Sequence, residues 1–205
     1  MNEFDIKAAG WDLNPMHLER SAAVAELIRK RIPLNRSMRA MEFGAGTGIT
    51  SFLLKNDLGE ITMIDSSAEM VRIMTEKTKG YDSKNLKPVF FDLEKNDWEG
   101  GKFDLIVTQM VLHHVDDIEG IIIKFHKMLS PHGRLAVADL YPEDGSFHGM
   151  DFSGHKGFDP EELSDLLKKN GYINISHEKC YVVARKVSDT LVKQFDIFLL
   201  FAERN

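Results

Sequence analysis

The stretch Arg39–Ile49, R-A-M-E-F-G-A-G-T-G-I, decides the fold class of this chain. It joins a short apolar run to three closely spaced glycines, Gly44, Gly46 and Gly48, and an amphipathic pattern starts directly after them. This order is typical of a buried parallel strand, a tight turn and a helix start. Glycine lets the backbone approach a ligand closely, and the free N–H groups of a helix start can donate to ligand oxygens. The stretch therefore predicts a ligand site between a strand and a helix.

The spacing of the glycines bears on which ligand is bound. Dinucleotide-binding turns have the pattern G-x-G-x-x-G. Here the third glycine comes one residue early, and Ile49 stands where that pattern has glycine. An acidic residue, Glu42, precedes the first glycine by two positions, where it is placed to attract an ammonium group. The turn therefore departs from the dinucleotide pattern, although Asp65, about 20 residues further on, keeps an NAD-dependent oxidoreductase open as an alternative.

Size and composition fit one globular domain. The chain has 205 residues, of which 43% are hydrophobic and 28% are charged, so it can bury a core. Within a single domain of residues 1–205, we expect residues 1–33 to form an N-terminal helical lid and residues 34–205 a Rossmann-like core. Residues 141–158, rich in Gly, His, Asp and Phe, are expected to form a substrate-side loop because they show no clear periodicity.

The charge and the cysteine content bear on compartment and partners. A net charge of −6 disfavours nucleic acid, because phosphate binding needs a basic surface. The single cysteine, Cys180, allows no intramolecular disulfide and no cysteine metal cluster, as in a reducing cytoplasm. No signal peptide is recognisable in residues 1–10, and no run approaches the ~20 apolar residues of a membrane helix. We expect a cytoplasmic monomer or homodimer without a membrane or nucleic-acid partner.

Strand and helix patterns alternate along the chain, which predicts an α/β fold with a parallel sheet covered on both faces. Apolar runs predict five strands and two late segments predict an antiparallel pair: 38–43, 60–64, 86–91, 103–108, 134–140, 172–185 and 195–203. The turn expected before the fifth strand is Ser130–Gly133.

Helix starts are indicated by capping residues and by proline at the first helical position. The predicted starts are Asn14-Pro15, the capping box Ser66–Glu69, Asp116 or Asp117, and Asp159-Pro160. In the first long helix, Leu18 and Ala22 are expected on the inner face together with Ala25 and Ile28.

Polar groups follow the strands at the edge where an open parallel sheet binds its ligands. The first four strands end at the glycine turn, Asp65, Asp92 and Gln109, so these groups should converge on one crevice. A carboxylate at Asp65 suits a ribose diol, and one at Asp92 suits an adenine amino group. Met70 and Leu93 are placed to sandwich the flat base. Since no G-x-x-x-x-G-K-[ST] loop is present, the predicted ligand is an adenosine with a zwitterionic tail rather than a nucleoside triphosphate.

Four motifs carry a family resemblance: E-F-G-A-G-T-G at Glu42–Gly48, I-D-S-S at Ile64–Ser67, F-D-L at Phe91–Leu93, and F-D-L-I-V-T-Q-M-V-L-H-H-V at Phe103–Val115. In this order they resemble the class I S-adenosylmethionine-dependent methyltransferases. Within that class they are most similar to the small-molecule branch related to ubiquinone and menaquinone biosynthesis. The resemblance implies a Rossmann-like three-layer sandwich with a seven-stranded, mostly parallel sheet whose last strand is antiparallel.

The resemblance also implies a cofactor, S-adenosylmethionine, and methyl transfer by in-line displacement to a small-molecule acceptor. Residues Gly44 to Gly48, including Ala45 and Gly46, would hold the methionine part, Asp65 and the adjacent Ser66 the ribose, and Asp92 with Leu93 the adenine. Met70 would lie near the base, Gln109 beside the cofactor, and Trp11 would cover the site from the lid.

The residues that contact the methyl acceptor are the hardest to identify from the sequence. His113, His114 and Tyr141 are weak candidates for orienting the acceptor or taking its proton, and Asp139 is either an acceptor contact or a turn residue. The spacing of His148, Asp151 and His155 matches no fixed ligand pattern, so we expect no metal site. A protein that binds S-adenosylmethionine without turnover remains a further alternative.

Overall fold

The sheet has the predicted architecture. A computed structural model describes residues 3–149 and 152–205. The strands of this described part are β1 Arg39–Phe43, β2 Glu60–Asp65, β3 Leu86–Phe90, β4 Phe103–Gln109, β5 Leu129–Leu140, β6 Tyr172–Lys186 and β7 Val192–Arg204. They form one seven-stranded sheet in the order β3-β2-β1-β4-β5-β7-β6. Strand β7 is antiparallel to both of its neighbours, and the remaining pairs are parallel, which confirms the predicted fold class.

Helices cover both faces of the sheet. They are α1 Glu3–Lys7, α2 Pro15–Arg31, α3 Ile49–Leu54, α4 Ala68–Gly80, α5 Ile118–Met128 and α6 Pro160–Lys169, with 3-10 segments at Ala8–Leu13 and Leu112–His114. Ile28 of α2, Leu54 of α3 and Met74 of α4 belong to one buried core. Phe125 of α5 and Leu167 of α6 belong to a second core on the opposite face. The sheet is therefore the middle of three layers.

Most predicted helix starts are confirmed by their capping bonds. The side chains of Asn14, Asp117 and Asp159 accept the backbone N–H of Met16, Gly120 and Glu161, respectively. The capping box at Ser66–Glu69 was wrong by one residue. Ser67 caps α4 and accepts from the N–H of Met70, because Ser66 belongs to the turn that follows β2. Glu69 pairs instead with Arg72 one turn further along.

The inner face of α2 differs from the prediction. Leu18 and Ala22 are exposed, whereas Arg20 and Ser21 are buried beside Val24. The helix borders a polar cavity at its N-terminal half, so its inner face carries polar side chains there and apolar ones only further along. A pattern that assigns the inner face by apolarity alone cannot recognise this arrangement.

The predicted turn Ser130–Gly133 lies inside β5. Phe103 pairs with Leu129 and Leu105 pairs with Arg134, so the four residues of the turn form a bulge. His132 adopts a φ of 59° there. The strand therefore resumes in register after the bulge.

The segment 141–158 connects β5 to α6, and its described residues form neither helix nor strand. The N–H of Glu143 donates to the carbonyl of Lys156 at 2.9 Å, and the N–H of Phe158 donates to that of Leu140 at 2.8 Å. These bonds bring the two stems of the loop together.

Across the described ranges, no helix has the length and apolarity needed to span a membrane.

Candidate functional site

A cavity of about 920 Å³ lies at the carboxyl ends of the central strands, below α1 and the N-terminal half of α2. It is lined by eleven of the twelve residues expected to bind the cofactor: Trp11, Glu42, Gly44, Ala45, Gly46, Asp65, Ser66, Met70, Asp92, Leu93 and Gln109. His113 and His114 also line it, but Gly48 and Tyr141 do not. The residues that were predicted to converge at the strand ends therefore line one cavity.

The glycine turn needs its glycines for three different reasons. Gly44, Gly46 and Gly48 have φ values of 65°, 56° and 80°, where a side chain is strained. A Cβ at Gly44 would lie 2.5 Å from Cγ2 of Val111, so this glycine allows the loop after β4 to approach. A Cβ at Gly46 would point towards the indole nitrogen of Trp11, at 3.7 Å. Gly48 instead begins α3 and faces the sulfur of Met63, which explains why it lies away from the cavity.

Asp65 connects two turns at the cavity wall. Its carboxylate accepts the N–H of Gly46 at 2.7 Å and the N–H of Ser67 at 2.8 Å. Burial raises the pKa of Asp65, and these N–H donors partly oppose the increase, while the nearby Asp5 adds to it. A carboxylate offers about four lone-pair positions, so Asp65 keeps acceptor capacity towards the cavity while it organises both turns.

Glu42 is a buried acid at the end of β1, with only 4% of its surface exposed. Its carboxylate accepts from the N–H of Ser51 at 3.1 Å and from the Ser51 hydroxyl. Burial raises the pKa of Glu42 to about 7, against the opposing effect of these hydrogen bonds. Glu42 therefore anchors the first turn of α3 to β1 and also presents a negative or neutral group to the cavity, depending on pH.

Asp92 has a more exposed setting than Asp65. Its carboxylate pairs with the exposed ammonium group of Lys95 at 2.7 Å and accepts the Lys95 N–H at 3.2 Å. The Lys95 hydrogen bond lowers the pKa of Asp92. The carboxylate thus closes a turn after β3, and a ligand amino group would share it with Lys95.

Gln109 has a hydrogen-bond acceptor without a partner among the described residues. Its Nε2 donates to the hydroxyl of Ser21 at 2.8 Å, which ties β4 to α2. Its Oε1 is buried and has no hydrogen-bond partner in residues 3–149 and 152–205. A buried amide oxygen without a partner costs free energy, so a donor group of a ligand in the cavity would stabilise this arrangement.

The N-terminal segment is held over the cavity by polar contacts. Asp5 accepts from the hydroxyl of Ser67 at 2.6 Å. Asp12 accepts from the hydroxyl of Thr47 and pairs with the ammonium group of Lys77 at 2.7 Å. Trp11 lies between these two acids in the sequence, and its ring lies 4.2 Å from that of His17. These contacts join the segment to the turn before α3 and to both ends of α4.

The opposite end of the cavity is basic. Arg20, with 5% of its surface exposed, lines it together with Arg185 and Lys186 of β6. Burial lowers the pKa of Arg20 to about 10, and the negative charge of Asp139 opposes that change. The Nε of Arg20 is buried and has no hydrogen-bond partner among the described residues. Sequence motifs do not identify Arg20 as a site residue, because it lies within a helix and outside every motif.

Three histidines meet beside this basic end. His113 Nδ1 donates to Asp139 Oδ1 at 2.7 Å, and its Nε2 lies 3.0 Å from Nε2 of His148. His114 follows in the same 3-10 turn, with its ring 5.1 Å from that of His148. Asp139 is fully buried, so it is neither a turn residue nor a direct contact of the cavity.

The other acceptor-side candidates lie elsewhere. Tyr141 stacks edge-on against Phe198 in the core, with ring centroids 5.4 Å apart. His155 bonds to the carbonyl of Val115 at 3.0 Å, and Asp151 lies outside the described residues. The structure therefore joins His148 to the pair after β4, a grouping that linear spacing did not reveal.

The family is decided by comparison with known proteins. A family model described as a methyltransferase domain matches residues 16–195. The chain belongs to this methyltransferase family. The methyl donor of the family is S-adenosylmethionine, as the resemblance implied, and the comparisons give no support to an oxidoreductase.

Individual relatives of this chain agree with the family assignment. An uncharacterized methyltransferase of Schizosaccharomyces pombe is 30% identical over 153 residues, which cover 67% of the chain and 54% of the relative. A malonyl-[acyl-carrier protein] O-methyltransferase of Laribacter hongkongensis is 25% identical, with 82% and 62% covered. The chain thus spans a little over half the length of these relatives.

The fold of the chain is also that of a solved cofactor complex. The Haemonchus contortus phosphoethanolamine N-methyltransferase 2 in complex with S-adenosyl-L-methionine superimposes with a TM-score of 0.72. The identity is 13%, with 100% of the chain and 60% of that structure covered. At this identity the likeness concerns the fold alone.

Proposed function

We propose that the protein transfers the methyl group of S-adenosylmethionine to a small-molecule acceptor that carries an anionic group. In this proposal the cofactor lies at the glycine-turn end of the cavity and the acceptor at the Arg20 end. The residues assigned to the cofactor are the eleven that line the cavity, with Gly48 supporting the turn from behind.

The cofactor end offers groups that match each part of the cofactor. The unpartnered Oε1 of Gln109 suits an ammonium donor, and the carboxylate of Asp65 suits the ribose hydroxyls. Leu93 and Met70 present buried apolar surface for the base. When bound, S-adenosylmethionine supplies an activated methyl group, so the chain's own residues need mainly to align the acceptor and exclude water.

One observation carries the proposal about the acceptor: Arg20 is buried in the cavity lining, and its Nε–H has no hydrogen-bond partner among the described residues. Arginine binds carboxylate and phosphate through charge-assisted hydrogen bonds. Arg185 and Lys186 add positive charge to the same end. An acyl acceptor with a free acid group, of the kind named for the Laribacter hongkongensis relative, is compatible with this surface.

The first test is ligand-dependent thermal stability. A ligand at 100 times its dissociation constant adds about 2.7 kcal/mol to the free energy of unfolding. For a domain of this size the melting temperature should rise by roughly 5–10 °C with S-adenosylhomocysteine. No rise is expected with NAD. A rise with NAD alone would contradict the proposal.

The second part tests the acceptor. Carboxylic acids and phosphate esters are incubated with S-adenosylmethionine and the protein, and methylated products are detected by mass spectrometry. For an acid that is methylated, Arg20→Met should raise KM at least tenfold and leave the dissociation constant of S-adenosylhomocysteine unchanged. Arg31→Met is the matched control, since Arg31 lies on the same helix but pairs with Glu178 at the surface. Preference for uncharged acceptors, or equal effects of both variants, would refute the anionic acceptor.

A further inference from the structure

Three imidazoles and one buried carboxylate form a cluster that methyl transfer does not require. The side chains of His113, His114 and His148 each bring a ring nitrogen to within 4.8 Å of the others. They come from two segments far apart in the chain, the 3-10 turn after β4 and the loop after β5. We infer that these three histidines bind one divalent transition-metal ion of the zinc type at the acceptor end of the cavity.

The orientation of His113 supports metal binding. Asp139 accepts from Nδ1 of His113 at 2.7 Å, and the N–H of Leu140 also bonds to Asp139 at 2.8 Å. This fixes the tautomer in which Nε2 carries the free lone pair. Metal-binding histidines almost always donate their second ring nitrogen to a carboxylate or a carbonyl in this way. Asp139 is thus a positioning residue, and Nε2 of His113 is the ligand atom.

The distances within the cluster are close to those of a metal site. Two nitrogens bound to zinc at about 2.0–2.1 Å in tetrahedral geometry lie roughly 3.3 Å apart. Nε2 of His113 and Nε2 of His148 face each other at 3.0 Å, so only a small separation is needed to admit an ion. The ring of His114 lies 4.2 Å from that of His113, and its ligand nitrogen is within 4.8 Å of those of the other two histidines, so the third imidazole has to move closer when an ion binds.

Asp139 contributes a buried negative charge behind His113. A buried carboxylate needs a positive group near it, and Arg20 already acts on Asp139. A divalent ion on His113 would add positive charge through the imidazole, and Asp139 would offset part of the repulsion between that ion and Arg20. Imidazole ligands select zinc, copper, iron or nickel over magnesium and calcium, which prefer oxygen ligands.

The site has the form of a metal centre that can also bind a ligand. All three histidines line the cavity, so a coordination position that none of the described residues takes would face the space proposed for the acceptor. Three protein ligands with one open position are typical of catalytic zinc sites, whereas structural sites are closed by four. An acceptor oxygen or nitrogen is the chemical class that would complete the coordination.

The test measures binding of the metal alone. The full chain is treated with a chelator, dialysed, and titrated with Zn²⁺ in a calorimeter. Co²⁺ is used in parallel, because its visible absorption reports low-coordinate geometry. We expect one Zn²⁺ per chain, cobalt bands typical of a four- or five-coordinate ion, and no binding of Mg²⁺ at the same concentration.

Variants locate the ion. His148→Ala should weaken Zn²⁺ binding at least tenfold and abolish the cobalt bands, and Asp139→Asn should weaken binding by about 10–100-fold. His132→Ala and His155→Ala are matched controls, because the first is at the exposed bulge and the second belongs to the same loop without joining the cluster. Both controls should bind Zn²⁺ as the wild type does. The circular dichroism spectrum and the melting temperature of each variant verify that it is folded, independently of cofactor binding.

The outcomes separate this inference from the proposed function. Failure to bind Zn²⁺ would overturn the metal site, and so would an equal loss of Zn²⁺ affinity in His148→Ala and His132→Ala. The cluster would then be explained by a proton shared between His113 and His148. If the protein binds Zn²⁺ as expected but does not bind S-adenosylhomocysteine, the proposed function is overturned and the metal site is supported.

Discussion

The two ends of the cavity are built in different ways. The end that we propose for the cofactor (the cofactor end) consists of backbone turns and strand-end side chains that follow β1 and β2 directly, with Asp65 bonded to the N–H of Gly46 and of Ser67. The end that we propose for the acceptor (the acceptor end) consists of side chains from α2, β6, the 3-10 turn and the loop after β5, of which Arg20 and His148 are examples. One end is encoded by local sequence, and the other exists only when distant segments have come together.

This difference shows which kind of site a sequence can reveal. A turn between a strand and a helix is determined by a few adjacent residues, because positive φ values and free N–H groups are local properties. A basic pocket made by Arg20 on a helix and Arg185 on a late strand leaves no such local pattern. The two ends should accordingly respond to different substitutions, and the following predictions separate them.

The largest effect is expected at Gly44. In Gly44→Ala the new Cβ would meet Val111 at 2.5 Å with φ at 65°, so strain and overpacking together should lower the free energy of unfolding by about 2–4 kcal/mol. Binding of S-adenosylhomocysteine should weaken with it. Chemical denaturation and calorimetry measure both quantities.

Gly80→Ala is the control for Gly44→Ala. A Cβ at Gly80 meets nothing within 4 Å, and alanine is the better helix former, so stability should be unchanged or slightly higher. If both variants were equally stable, the glycine turn would not have the tight packing against Val111 that defines the cofactor end.

The next effect concerns Glu42 and pH. Burial raises its pKa from 4.5 to about 7 in the folded protein, so the folded state holds the proton more tightly than the unfolded state. The stability from this proton is fully present below pH 4.5 and is lost as pH rises through about 7. The shift corresponds to about 3 kcal/mol.

Glu42→Gln removes this titration. As the pH rises from 4.5 to 8, the wild type should therefore lose about 3 kcal/mol of its free energy of unfolding relative to the variant. Urea unfolding at a series of pH values measures the difference. Parallel stability profiles for the two proteins would show that Glu42 does not titrate as a buried acid.

A smaller contrast is expected between Asp65 and Asp92. Asp65→Asn should weaken binding of S-adenosylhomocysteine by more than 1 kcal/mol, or more than about fivefold, since a half-buried charged acceptor is lost. Asp92→Asn should cost less than about 1 kcal/mol, because Asp92 already pairs with the exposed Lys95. Calorimetric titration of both variants measures the contrast, and equal losses would contradict the distinction drawn from their surroundings.

The sequence predicted the sheet almost completely. The strand runs, the helix caps at Asn14, Asp117 and Asp159, and the convergence at the strand ends all follow from local rules of periodicity and capping. The capping box at Ser66 was off by one residue, because the turn after β2 takes one more residue than the motif indicates. The bulge at Ser130–Gly133 has a turn signature, and only the pairing of β4 with β5 shows that it interrupts a strand.

The acceptor end could not be predicted in the same way. The position of Arg20 depends on which side of α2 faces the cavity, and apolar periodicity pointed to Leu18 and Ala22 instead. The role of Asp139 depends on a hydrogen bond to His113, 26 residues away in the chain. Tyr141 looked like an acceptor contact because it follows β5, but its ring packs against Phe198 in the core.

The bond between Glu143 and Lys156 has a consequence for how this protein can evolve. Because the two stems of the loop after β5 are joined there and again at Leu140 and Phe158, the residues between them can change in length or composition without moving the sheet. His148 lies within that interval and reaches the acceptor end. Exchange of this interval alone is therefore expected to alter the proposed acceptor end and to leave the proposed cofactor end unchanged.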